Sequence, residues 1–187
     1  AARAAGAASE PGSFVMAGEL YAETIQGFAP PTPLALLELG LAQRRLIYST
    51  TNGTVAINAC AGAADVYCGA LLNGTAIAER IITAHRDQTV LLVCAGSMNN
   101  FNLEDFYGAG YLVELLVERL GERADFSDAA RAARALFRHA DPEASLLGCR
   151  VGKMMAGRAL EHEVRYAARL SALDVVPRLR GGELFAD

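Results

Sequence analysis

The sequence predicts an α/β protein of three layers, α/β/α, with a mostly parallel central sheet and a helical carboxy-terminal half. Three observations carry this prediction. Short apolar runs bounded by Gly, Asn or charged residues alternate with helical patterns through the first half of the chain. Those runs are continuous rather than alternating, as in strands covered on both faces. From Leu103 onward the periodicity is almost wholly helical.

Taken in order, Ser13-Phe-Val-Met-Ala17, Arg45-Leu-Ile-Tyr-Ser49, Asp65-Val-Tyr-Cys68 and Thr89-Val-Leu-Leu-Val-Cys94 read as short buried strands. Helical patterns over 34–43, 54–61 and 75–85 separate them, which makes βαβ units the natural assembly. Tyr48 to Thr50 and Leu91 to Cys94 are expected as interior strands. Helices are expected over 103–120, 128–139 and 142–170. Pro33 and Pro142 stand where a helix start loses nothing by a missing N–H, and Ser127 and Asp128 offer an N-cap. The end of the chain, with Gly181-Gly182 between two apolar runs, reads as a hairpin. No repeat or linker divides the sequence, so a single domain over 1–187 is expected.

Composition sets the function classes aside in turn. A hydrophobic share of 52% with 20% charged residues describes a dense globular chain, and the absence of Trp makes its core aliphatic. The net charge of −4 gives no general attraction for nucleic acid or an anionic membrane, so an anionic substrate must be met locally. Apolar runs are strand-sized, far below the ~20 residues of a membrane helix, and no membrane insertion is expected. Cys60, Cys68, Cys94 and Cys149 occur singly, without metal-ligand spacing. They read as buried reduced thiols of a reducing compartment, the cytoplasm. His85, His139 and His162 read as surface residues.

Two strand ends carry candidate chemistry. In Tyr48-Ser-Thr-Thr-Asn-Gly-Thr54 a strand runs into a polar turn that opens a helix. Backbone N–H groups with the Thr50, Thr51 and Thr54 hydroxyls could hold a phosphate or sulfonate there. The competing reading is a tight Asn52-Gly53 turn with Thr51 as N-cap. After Leu92-Val-Cys-Ala-Gly-Ser97, Glu104 and Asp105 fall in the first turn of a long helix. The helix dipole alone favours them; the functional reading makes one or both oxygen ligands of Mg²⁺. Both ends lie after parallel strands in this reading and are expected to share a crevice. Cys94 lacks a following Cys-x5-Arg phosphate loop and reads as a small buried hydrophobe rather than a nucleophile.

Several segments together resemble the 2-phosphosulfolactate phosphatase family of coenzyme M biosynthesis. They are Met16-Ala-Gly-Glu19, Gln26-Gly-Phe28, Ser49-Thr-Thr-Asn-Gly-Thr54, Gly69-Ala-Leu-Leu-Asn73, Leu91-Leu-Val-Cys-Ala-Gly96, Phe101-Asn-Leu-Glu-Asp105 with Gly108-Ala-Gly110, and Asp174-Val-Val-Pro177. The resemblance implies the three-layer fold and Mg²⁺-dependent hydrolysis of a phosphate monoester on a sulfonated three-carbon acid, such as 2-phospho-3-sulfolactate. It implies catalytic roles for Glu104, Asp105 and Cys94, and substrate contacts from Thr51, Asn52, Gly53, Thr54 and Gly96. Metal coordination would come from Glu19, Glu104 and Asp105. The chain departs from the family pattern with Leu20-Tyr21-Ala22, Pro31-Thr32-Pro33 and Ser97-Met98-Asn99-Asn100, and matches nothing of the family's first segment. Lost cationic help makes a catalytically silent structural or binding subunit the alternative. A sheet lacking its first strand needs cover, so an oligomer or a subunit of an assembly is expected.

Overall fold

The computed structural model describes residues 1–10, 12–121 and 124–187. They form two compact units, Ala1–Val55 and Ala56–Asp187.

The first unit contains α1 (Ala2–Ala7), β1 (Phe14–Leu20), β2 (Glu23–Thr24), α2 (Pro33–Leu37), β3 (Arg45–Ser49) and the start of α3 (Gly53–Ala59). Its sheet has the order β2-β1-β3, with β1 antiparallel to β2 and parallel to β3 from Phe14↔Arg45 to Gly18↔Ser49. Gly18 is required at the last pair, because a Cβ there would lie 2.3 Å from the Ser49 carbonyl oxygen. Tyr21 and Ala22, which join β1 to β2, both take positive φ, 54° and 62°. This is the two-residue hairpin turn that Asn-Gly usually fills. Helix α2 stops at Leu37, short of the 34–43 pattern, and the chain turns through left-handed Gly40 and Gln43.

The second unit is predominantly helical. After a 3₁₀ turn at Leu71–Asn73 come α4 (Gly74–Ala84), α5 (Leu103–Leu120), α6 (Asp128–Arg138), α7 (Pro142–Gly148), α8 (Arg150–Ala156) and α9 (Glu161–Ala167). A hairpin of β4 (Pro177–Arg180) and β5 (Glu183–Ala186) follows, turning at Gly181-Gly182. Ile77, Ala78 and Ile81 of α4 pack with Tyr107, Tyr111, Leu112, Leu115 and Leu116 of α5 to form the core. Small residues set the spacing: at Gly74 a Cβ would meet the Tyr111 ring at 2.4 Å, and at Gly110 the Ala133 carbonyl oxygen at 2.1 Å. Asn73 is buried and its amide bonds Ala70 N, the Cys68 carbonyl and the Val175 carbonyl, tying three segments together.

The α/β class is met, whereas the mostly parallel central sheet is not: among the described residues, ladder pairing of parallel kind is confined to β1 and β3. β3 is an edge of its sheet rather than an interior strand. Asp65 to Cys68 forms only one bridge, Tyr67 to Arg178, and Leu91 to Cys94 forms no strand. The latter run is covered on one side only. Leu92 packs on the core while Leu91 and Val93 are 81% and 52% exposed. A ladder needs a neighbour, and apolar content alone does not supply one. The expected helix over 142–170 is three short helices, because Cys149 takes an extended conformation (ψ 170°) and caps α8 through its sulfur, and left-handed Ala159 (φ 59°) interrupts the chain before α9.

Candidate functional site

The first group of candidates lies in the first unit, around the turn after β3. Thr50 caps α3: its hydroxyl accepts from Thr54 N at 3.1 Å, and Thr54 Oγ1 donates to the Thr50 carbonyl. Thr51, expected as the cap, does something else. Its backbone N–H and its hydroxyl both donate to the Glu19 carboxylate, at 2.5 and 2.9 Å, and its Oγ1 accepts from Tyr21 N. Glu19 Oε2 also accepts from Ala22 N at 2.7 Å. An internal carboxylate therefore holds the turn, and it also engages the left-handed Tyr21-Ala22 hairpin. Asn52 and Gly53 complete this turn, with a Gly53 Cβ position only 3.4 Å from Thr50 Oγ1.

The second group lies in the second unit, at the start of α5. Asn102 stands at the N-cap with Glu104 and Asp105 at the second and third helical positions. An N-cap Asn ordinarily accepts from the first turn, worth about 1 kcal/mol, as Ser127 does from Ala130 N and Asp141 from Ala144 N in the following helices. Asn102 makes no such bond. Its buried amide instead donates to Ser97 Oγ at 2.8 Å and accepts from Arg150 Nη2 at 2.9 Å. Asp105 is diverted likewise: Oδ2 accepts from Gly96 N at 2.7 Å. Both bonds clamp the loop of Gly96 to Asn100 onto the helix. That loop is tight, with Gly96, Met98 and Asn99 at positive φ and Ser97 and Asn100 exchanging backbone hydrogen bonds.

Three groups of the same cluster have shifted acidities. Burial raises the Asp105 carboxyl above its ordinary value, the Gly96 N–H opposes the shift and the Glu104 charge adds to it. Partial shielding, then the charge of Asp105, raises the Cys94 thiol. Cys94 is exposed rather than buried, and stays protonated at neutral pH. Burial and, among weaker influences, a hydrogen bond to Glu104 raise the Cys149 thiol.

The structure thus gathers Cys94, Gly96, Glu104 and Asp105 in the second unit and Glu19 with the Thr51–Thr54 turn in the first. Sequence reasoning missed Ser97, Asn102, Cys149 and Arg150. Asn102 carried a signal, an N-cap residue type directly before a helix. Arg150 was hidden inside a stretch that read as one helix.

For Mg²⁺, the donor chemistry at Glu104 and Asp105 fits, since this ion takes oxygen ligands and commonly binds through one or two carboxylates, with water and substrate oxygens completing the shell. Both Glu19 oxygens are already engaged by Thr51 and Ala22. Among the described residues no group of three or more His, Cys, Asp or Glu side chains is assembled as a metal cage. No described helix is long and apolar enough to cross a membrane.

Comparison with known proteins gives a family model, described as 2-phosphosulpholactate phosphatase, that matches residues 1–182. The chain is 34% identical to the probable 2-phosphosulfolactate phosphatase of Carboxydothermus hydrogenoformans over 74% of its own length and 56% of that protein's. It is 34% identical to the Deinococcus radiodurans protein of the same description, covering 90% of this chain and 70% of the relative. With the Clostridium acetobutylicum protein, likewise so described, identity is 28% over 91% and 72%.

Proposed function

The chain belongs to the 2-phosphosulpholactate phosphatase family, and from this we propose that it acts as a Mg²⁺-dependent phosphatase on a phosphate monoester such as 2-phospho-3-sulfolactate. The observation that carries this reading is the diversion of Asp105 from helix capping to the Gly96 amide, which fixes a carboxylate of raised pKa beside Glu104. Neither burial nor a like neighbour favours an ionised Asp105, so its charge is costly until a cation meets it. Bound Mg²⁺ would neutralise charge on the phosphoryl oxygens and polarise the ester for attack by water.

In this reading Glu104 and Asp105 hold the metal, and Gly96 and Cys94 line the floor of the site. The protonated Cys94 thiol is not the nucleophile. Thr51, Asn52, Gly53 and Thr54, a turn of the first unit, are read by themselves as a place for substrate contacts, although Glu19 already takes the Thr51 donors. Glu19 is not proposed as a ligand, because both its oxygens hold Thr51 and Ala22. The setting is a reducing compartment, the cytoplasm, which suits four free cysteines. An oligomer or larger assembly would cover the exposed Leu91 and Val93, and sedimentation would read it.

The test is phosphate release from 2-phospho-3-sulfolactate with and without Mg²⁺. Turnover by the parent protein, lowered by roughly a hundredfold or more in Glu104→Gln and Asp105→Asn, supports the assignment. The second reading is a catalytically silent member of the family, favoured by Glu19, whose oxygens are committed to the protein's own backbone. A folded parent without turnover on any phosphate ester would establish it.

A further inference from the structure

Resting on the phosphatase reading, we propose that Arg150 selects substrates that carry a second anionic group, a sulfonate or carboxylate, beside the phosphate ester. Its charge is the starting point. Among the described residues Arg80, Arg119, Arg134, Arg138, Arg165, Arg178 and Arg180 all reach carboxylates. Among the described residues Arg150 bonds the neutral side-chain amide oxygen of Asn102 and no carboxylate, whereas Arg3, Arg44 and Arg131 meet backbone carbonyls. No carboxylate among the described residues pairs with its charge.

The tether explains why the charge stays where it is. Asn102 is only 8% exposed, and its other amide group is held by Ser97 Oγ, so it cannot swing away. One guanidinium N–H is fixed by this amide and the remaining donors of the planar fork face no protein acceptor among the described residues. One connection joins Arg150 to the acidic pair: Asn102, which it bonds, lies directly before the turn that bears Glu104 and Asp105. Even so, Arg150 forms an ion pair with neither carboxylate.

That arrangement suits a substrate with two separated anions. A metal held by the carboxylates answers the phosphoryl charge, whereas a second anion brought near Glu104 and Asp105 is repelled unless a cation is reserved for it. A guanidinium fork matches the oxygens of a carboxylate or sulfonate better than an ammonium does. Asn102 is a positioning residue in this scheme, acting through Arg150.

The experiment compares 2-phospho-3-sulfolactate with p-nitrophenyl phosphate, which has no second anion, in the parent, Arg150→Gln and Arg150→Lys proteins with Mg²⁺. Arg150→Gln is expected to lower kcat/KM for the sulfonated ester at least about tenfold more than for the simple one, chiefly through KM, with partial recovery in Arg150→Lys. Equal losses on both esters overturn the proposal. Should the parent hydrolyse neither ester, the phosphatase reading fails, and Arg150 is then read separately by calorimetric titration with sulfoacetate. Binding by the parent that weakens about tenfold or more in Arg150→Gln supports the cation; equal binding, or none by the parent, overturns it.

Discussion

In the second unit Tyr107, Tyr111, Val113, Leu115 and Leu116 are buried on one helix, while in the first only Ala17 and Ile47 among the described apolar residues reach that state. The first unit compensates with polar geometry. Glu19 collects three N–H or O–H donors across β1, the hairpin turn and the Thr51 turn. Packing is cooperative and insensitive to pH, while a carboxylate clamp concentrates its effect in a single side chain. The two units should therefore fail to different substitutions.

The largest effect is expected where the helical unit leaves no room. Gly110→Ala places a methyl group against the Ala133 carbonyl and should cost about 3 kcal/mol or more, read as a lower urea midpoint by circular dichroism. Glu19→Ala should cost about 1–3 kcal/mol in the first unit by leaving Thr51 and Ala22 donors unmade, with faster amide exchange at both residues. If that exchange does not change, the first unit is not held by its clamp and the contrast collapses.

Ala22→Gly sharpens the comparison in the opposite direction. A left-handed conformation strains Ala and suits Gly, so stability should rise by up to about 1 kcal/mol, visible as a higher Tm. The smallest effect is assigned to Asp105→Asn, measured without metal. A carboxyl whose folded value is raised favours the fold below its ordinary pKa, and that contribution is lost as pH rises through the raised value. The variant should thus gain slightly on the parent near pH 7 and show no advantage near pH 3. An advantage confined to acid would reverse the sign and remove the electrostatic basis of the site.

What the sequence made legible follows the same division. Helices α4, α5 and α6, the terminal hairpin and β3 were readable because local periodicity, caps and Gly-Gly turns dictate them. Leu91 to Cys94 was not, since its apolar run specifies burial without specifying a pairing partner. Likewise Glu104 and Asp105 stand out as acids at a helix start, while the bond from Asp105 to Gly96 depends on a loop whose left-handed Met98 and Asn99 no propensity announces. Arg150 lies 48 positions from Asn102, beyond any local signal.

Asn102 has one further consequence, for how sequences of this kind can diverge. A residue whose two amide ends are committed to Ser97 and Arg150 makes those three positions mutually dependent. Loss of the hydroxyl at 97 leaves a buried donor unmet, and loss of the guanidinium at 150 frees an acceptor. Across related chains these three positions should be replaced as a set, and a statistical covariance among them, stronger than among equally spaced surface positions, is the imprint the amide would leave.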